Sequence, residues 1–212
     1  MKKIVILISG RGSNMQAIVE AQIPGAEVVA VIANKPEAAG IAWAEAQGIA
    51  TLVVTHKNYD SREAFDQALA SFIDGYEADL VVLAGFMRIL TAEFVNHFAG
   101  RLINIHPSLL PAFTGLHTHE RALSEGVKVH GCTVHFVTAD LDHGPIIIQA
   151  VVPVLENDTV ETLSARTLQQ EHRIYPQAVC WLLDGRAQLR EGRVFINQAQ
   201  FSEGATFPLV EA

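Results

Sequence analysis

The chain has 212 residues, 50% hydrophobic and 18% charged. A chain this long buries roughly 70% of its extended surface on folding, so a core forms without disulfides or a structural metal, and the aliphatic composition excludes a disordered segment as the whole. The formal net charge of −8 weighs against a nucleic-acid binder, whose affinity comes from cations set against phosphates. Cys132 and Cys180 form no CxxC pair, which suits a reducing compartment. The opening apolar run, Ile4–Ile8, is shorter than a signal peptide requires, and nothing approaches the length of a membrane span. The expectation is one cytoplasmic domain over residues 1–212, acting on small molecules, with no nucleic-acid or membrane partner.

In chain order, short apolar runs without alternation read as strands buried on both faces: Lys3–Ser9, Glu27–Ala33, a weaker Thr51–Val54, and Asp79–Ala84. Helical stretches lie between them at Ser13–Ala21, Ala38–Gln47 and Ser61–Tyr76. The last is predicted to start at a capping box of Asp60 and Glu63. This alternation implies right-handed βαβ crossovers and an open, twisted, mainly parallel α/β sheet with a Rossmann-like N-terminal half. A fifth strand, Leu102–His106, is halted by Pro107. The rhythm then changes. Val129–Thr138 and Pro145–Val154 read as an antiparallel extension joined by the loop Ala139–Gly144. Asp158 with Glu161 is predicted to open a long C-terminal helix reaching about Asp184, interrupted near Pro176 and stopped by Gly185. Val194–Ile196 reads as an edge strand in an otherwise irregular tail.

The loop Ser9-Gly10-Arg11-Gly12-Ser13-Asn14 separates the first strand from the first helix. Glycines permit the tight turn, and a helix N-terminus offers free N–H groups to an anion. A dinucleotide fits poorly, because Met15 stands where a third glycine belongs and the second strand runs into Ala33-Asn34-Lys35 without the expected acid. One phosphate fits better, and a ligand-free strand-to-helix turn is the alternative.

Asn104 and His106 stand two apart in a strand and so project the same way, at the carboxyl edge where open α/β sheets hold ligands. An amide donor beside an imidazole suits a developing oxyanion together with proton transfer. Asp142, or alternatively Asp140, is the candidate carboxylate to face the imidazole. The bland alternative is a hydrogen-bonded histidine, a solvated aspartate and an asparagine closing a loop. Ser108 lacks a nucleophile elbow, and Cys132 reads as a small packing residue. His106, His117, His119, His130, His135 and His143 crowd one region, but no metal-ligand spacing links them, so no metal is expected.

Four strings occur in order: Ser9–Asn14, Leu83–Leu90, Asn104-Ile105-His106-Pro107-Ser108-Leu109-Leu110-Pro111 and Leu141-Asp142-His143-Gly144-Pro145. With Gly115-Leu116-His117-Thr118-His119 and Gln170-Glu171-His172, they make the chain resemble the folate-dependent glycinamide ribonucleotide formyltransferases of purine biosynthesis, from Lys3 to about Gly185. The resemblance implies a phosphate-binding half over residues 1–100, a catalytic and folate-binding half over 101–185 and a tail over 186–212. It implies 10-formyltetrahydrofolate as co-substrate, no metal, and a monomer or homodimer. Gly12, Ser13 and Asn14 are implied to hold the substrate phosphate, and Leu168, Gln169, Gln170 and Glu171 to line the ribonucleotide site. Arg62, Met87, Arg88, Ile89, Leu90, Asn104 and the loop of Thr138, Ala139, Asp140, Leu141 and Asp142 are implied to meet the folate. Asn104, His106 and Asp142 are implied to carry the chemistry. Two departures stand out: His143 where relatives often carry glycine, and Ala112-Phe113-Thr114 where they often carry a basic residue. A tRNA formyltransferase is expected to be larger and more basic, a formyl-folate hydrolase to need no phosphate loop, and a silent binding protein to have no use for the intact trio.

Overall fold

In the computed structural model, which describes residues 1–197, seven strands share one sheet: β1 (Lys2–Ile8), β2 (Ala26–Ala33), β3 (Ala50–Val53), β4 (Leu80–Leu83), β5 (Leu102–His106), β6 (Val129–Phe136) and β7 (Ile146–Pro153). Their order is β3-β2-β1-β4-β5-β6-β7. Pairing is parallel through β5, then antiparallel from β5 to β6 and from β6 to β7, so the expected α/β architecture with an antiparallel extension is the one observed. Helices α1 (Ser13–Glu20), α2 (Ala39–Ala46), α3 (Arg62–Gly75), α4 (Ala92–His97), α5 (Thr118–Glu125) and α6 (Val160–Leu183) cover the sheet.

β1 is an apolar strand because both of its faces are covered. Ile4, Ile6 and Ile8 pack with Met15 and Ile18 of α1 and Tyr175 of α6. Val5 and Leu7 pack on the other face with Phe65, Leu69 and Ile73 of α3 and Phe98. Each such side chain, fully buried, stabilises the fold by about 2 kcal/mol. The Tyr175 hydroxyl reaches through this core to the Leu83 carbonyl at 2.9 Å and lies 3.3 Å from the Ile103 carbonyl, joining α6 to β4 and β5.

Helix starts differ from the sequence reading. α3 is capped by Ser61, whose hydroxyl accepts from the Ala64 N–H, and Asp60 is not the cap. α6 is capped by a reciprocal Thr159–Thr162 box. Asp158, expected there, instead receives a two-armed Arg166 guanidinium at 2.7 and 2.8 Å, which holds its carboxyl far below the usual carboxylate range. α6 also runs through Pro176 unbroken, and Pro176 is buried. Gly185 follows the helix in the left-handed region, the stop that was expected. The strand at Val194–Ile196 does not extend the main sheet. It belongs to β9 (Arg193–Ile196), which forms a separate hairpin with β8 (Ala187–Arg190). The rest of the predicted irregular tail, residues 198–212, lies outside the described residues.

The strand order reverses between β1 and β4, which puts a crevice at their carboxyl ends. The glycine loop leaves β1 there, the segment 84–91 leaves β4, and β5 ends alongside.

Candidate active site

Gly12 is the N-cap of α1 with φ 71°, and no side chain caps the helix. A left-handed turn is open to glycine at little cost, and the uncapped end leaves N–H groups for an anion. Asn14 lies in the first turn, buried, and its amide donates to Glu171 Oε2 at 2.7 Å. The structure thus joins two residues 157 positions apart. Burial raises the Glu171 carboxyl above its usual range, and the Asn14 bond partly offsets this. Leu168 is one helical turn from Glu171 on the same face of α6, whereas Gln169 is exposed and Gln170 accepts from Arg173 instead of reaching the glycine loop.

Across the crevice, Ser9 links the loop after β1 to the loop after β4. Its hydroxyl donates to Asn34 Oδ1 at 2.7 Å and accepts from the Met87 N–H at 2.8 Å. The other end of this segment is fixed by Asp66, which accepts from the Thr91 N–H at 2.6 Å. Between these anchors Met87 and Ile89 face outward, Arg88 lies over the Phe65 ring at 4.8 Å, and Leu90 packs inward. Arg62 is exposed at the start of α3. Thr138, Ala139, Asp140 and Leu141 form an exposed loop beyond β6, closed by a Thr138 hydroxyl bond to the Asp140 carbonyl. Gly144 ends that loop beside Phe136, where a Cβ would overlap the Phe136 carbonyl. Met87, Ile89 and Leu141 are 63%, 59% and 53% exposed.

His106 lies between. Its Nε2 is 2.9 Å from the Phe113 carbonyl, an acceptor, so this nitrogen carries the proton. Its Nδ1 is 3.5 Å from Asp142 Oδ2, and both side chains are under a tenth exposed. Asp142 has φ 54°, an unusual conformation for a residue with a side chain, and also accepts from the Gly115 N–H at 2.8 Å. Asp140, the alternative carboxylate, is exposed. Asn104 is half-buried, and its side-chain amide has no hydrogen bond among the described residues, so it is free to meet a ligand. Both ring nitrogens of His106 therefore face acceptors, with an uncommitted amide two residues away on the same strand.

Opposite Asn104, in register on β6, sits His135. Its Nδ1 donates to the Phe136 carbonyl, and burial above all lowers its basicity, partly countered by that bond and by Asp142. His130 and His119 share a bond of 3.1 Å. Burial and the neighbouring His119 bring His130 down to about 4. Burial, with Glu171 adding, pushes the Cys132 thiol up to about 12, so it stays protonated and serves packing. Among the described residues no cluster of three or more His, Cys, Asp or Glu could hold a metal. Sequence reasoning missed Ser9, Asp66, the Phe113 carbonyl and the Gly115 N–H. Two of these are backbone groups without a sequence signature, and Ser9 and Asp66 act through partners 25 or more positions away.

A mainly parallel α/β sheet that carries an uncapped helix terminus and the residues Asn104, His106 and Asp142 on one edge has the form of a small-molecule enzyme. The formyl transferase family matches residues 2–179, and the chain belongs to that family. It is 52% identical over 198 residues to the phosphoribosylglycinamide formyltransferase of Escherichia coli strain K12, covering 92% of this chain and 93% of that one. It is 47% identical to the human trifunctional purine biosynthetic protein adenosine-3, over 89% of this chain but 19% of that longer protein. A crystal structure of glycinamide ribonucleotide transformylase 1 from Symbiobacterium toebii superimposes with a TM-score of 0.89 at 50% identity, over 92% of this chain and 94% of that one.

Proposed function

We propose that this chain transfers the formyl group of 10-formyltetrahydrofolate to the primary amine of glycinamide ribonucleotide, giving formylglycinamide ribonucleotide and tetrahydrofolate. The observation that carries the reading is the pairing of His106 Nδ1 with Asp142, beside the uncommitted Asn104 amide. The phosphate of the ribonucleotide meets the N-terminus of α1 at Gly12, Ser13 and Asn14, and Glu171 accepts from the ribose hydroxyls. The folate lies against Met87–Leu90 and the 138–142 loop, within reach of Arg62.

The amine nitrogen attacks the formyl carbon, forming the new C–N bond while the carbonyl electrons move to oxygen. Asn104 and protonated His106 stabilise that oxyanion, His106 giving it the Nε2–H now donated to Phe113. Asp142 holds the imidazolium at Nδ1 and, through a water, passes a proton from the attacking nitrogen to the folate nitrogen as its C–N bond breaks. Holding both substrates on one sheet edge supplies the proximity contribution. No covalent enzyme intermediate and no metal enter this scheme.

On this reading the chain acts as a single domain in the cytoplasm, as monomer or homodimer, with these two small molecules as partners. The free cysteines support a reducing compartment, and no helix among the described residues is long and apolar enough to cross a membrane. Tetrahydrofolate release, followed spectrophotometrically, tests it. Release that depends on glycinamide ribonucleotide is expected. Equal release without it would indicate a hydrolase, and no release a binding protein, and either would overturn the reading.

A further inference from the structure

We propose that Arg121 of α5 is a positioning residue for the reaction, a clamp that holds the loop 113–116 against His106 and Asp142. The inference rests on the formyl-transfer reading for its kinetic consequence, but the clamp itself is structural.

The loop touches the catalytic pair at two points, both through its backbone. The Phe113 carbonyl accepts from His106 Nε2, and the Gly115 N–H donates to Asp142 Oδ2. Such contacts are only as well placed as the loop. Its backbone is unusual, with positive φ at two non-glycine positions, 53° at Phe113 and 57° at the adjoining His117. Conformations of this kind persist where the surroundings over-determine them.

The base of the loop is fixed by side chains of β6, β7 and α5. Thr133 donates to the Ser108 carbonyl and accepts from the Leu110 N–H, Gln149 donates to the Leu110 carbonyl, and Thr118 donates to the Pro107 carbonyl. The tip is different. Apart from the bonds to His106 and Asp142 themselves, the only side chain among the described residues that hydrogen-bonds residues 113–116 is Arg121. Its Nη1 donates to the Thr114 carbonyl at 2.6 Å and lies 3.5 Å from the Leu116 carbonyl. Its guanidinium also sits 5.5 Å from the centre of the Phe113 ring. One cation therefore spans the segment, holding the residue on each side of Gly115 and the ring of the residue whose carbonyl meets His106. Both bonds come from Nη1, and the planar head lets the same group lie over the Phe113 ring as well, a combination that an ammonium reproduces only in part. The segment Ala112-Phe113-Thr114 carries no charge of its own, so the cation comes from the neighbouring helix.

Arg121→Ala and Arg121→Lys test this in the full chain. Arg121 is exposed, so both variants should fold, and the melting temperature checks it. For Arg121→Ala, kcat is expected to fall roughly tenfold with both KM values within about twofold, as misplacement of reacting groups lowers turnover rather than binding. Arg121→Lys, which keeps charge without the fork, should recover part of the loss. A second readout needs no activity: the Gly115 amide proton, hydrogen-bonded to Asp142, should move upfield in the NMR spectrum of Arg121→Ala. Unchanged kcat, an unmoved Gly115 amide, or a lowered melting temperature with turnover intact would each overturn the clamp. If the unaltered chain transferred no formyl group, the functional reading would fall, and the Gly115 comparison would still decide the clamp.

Discussion

The two sides of the crevice are built by different means. The phosphate side uses a regular device: a strand, a glycine turn and an uncapped helix, with Asn14 and Glu171 bonded across the core. The catalytic side is assembled from two irregular loops, 113–117 and 138–144, whose backbone takes positive φ at Phe113, Gly115, His117 and Asp142. The turn and helix of the first form from local sequence, and one long-range bond, Asn14 to Glu171, completes it. The second needs the antiparallel extension to bring Asp142 back to β5, and needs clamps such as Arg121 to keep it there. On the proposed reading, binding falls to the regular side and chemistry to a side whose geometry must be held in place.

If that division is correct, substitutions on the two sides should separate binding from turnover. The largest binding effect is expected at Glu171→Gln. It leaves the shape intact but replaces an acceptor-only group by one carrying donors, in a buried site. KM for the ribonucleotide should rise roughly ten- to hundredfold, about 1.4–2.8 kcal/mol, with kcat nearly unchanged. A rise confined to the folate KM would reverse the assignment of the two sides. Ser9→Ala comes next. It removes the partner of the Met87 N–H and of Asn34 Oδ1, so the segment Met87–Leu90 should loosen. Loss of one buried neutral hydrogen bond is worth about 1 kcal/mol, which predicts a folate KM roughly fivefold higher with the ribonucleotide KM unaltered. Equal effects on both substrates would blur the comparison.

The smallest effect concerns pH. His130 is held neutral by burial and by His119, at about 4 against an ordinary 6.5. The unfolded chain therefore binds more protons within that interval. The stabilisation from neutral His130 is complete above 6.5 and is lost as pH falls toward 4. His119 and His135 are also lowered, mainly by burial, and act with the same sign. Denaturant midpoints should fall across that range, and His130→Gln should flatten the fall. A slope identical to that of the unaltered chain would remove His130 from it.

Most of the sheet was legible because apolar runs such as Ile4–Ile8 are covered on both faces and leave little doubt about strand type. β5 was predicted with its observed ends, since Pro107 terminates it. The caps at Ser61 and Thr159 were missed by one residue, because Ser, Thr and Asp compete for the same role and Asp158 found a stronger partner in Arg166. The short helices α4 and α5 lacked a long enough period to announce themselves, and with α5 went Arg121. On the site, the spacing of Asn104 and His106 was readable as a strand period. Asp142 was only one of two candidates from the residues alone, and the resemblance to a family favoured it. The clamps and backbone donors could not be read, since each depends on tertiary neighbours.

The central claim is that Asp142 acts on chemistry through His106. Turnover of Asp142→Asn at saturating concentrations of both substrates tests it most directly. The account predicts a kcat lower by roughly 10²–10⁴-fold, the usual worth of positioned proton transfer, with folate-analogue affinity changed by less than about threefold. Turnover equal to that of the unaltered chain, or a loss explained by weakened folate binding alone, would contradict it.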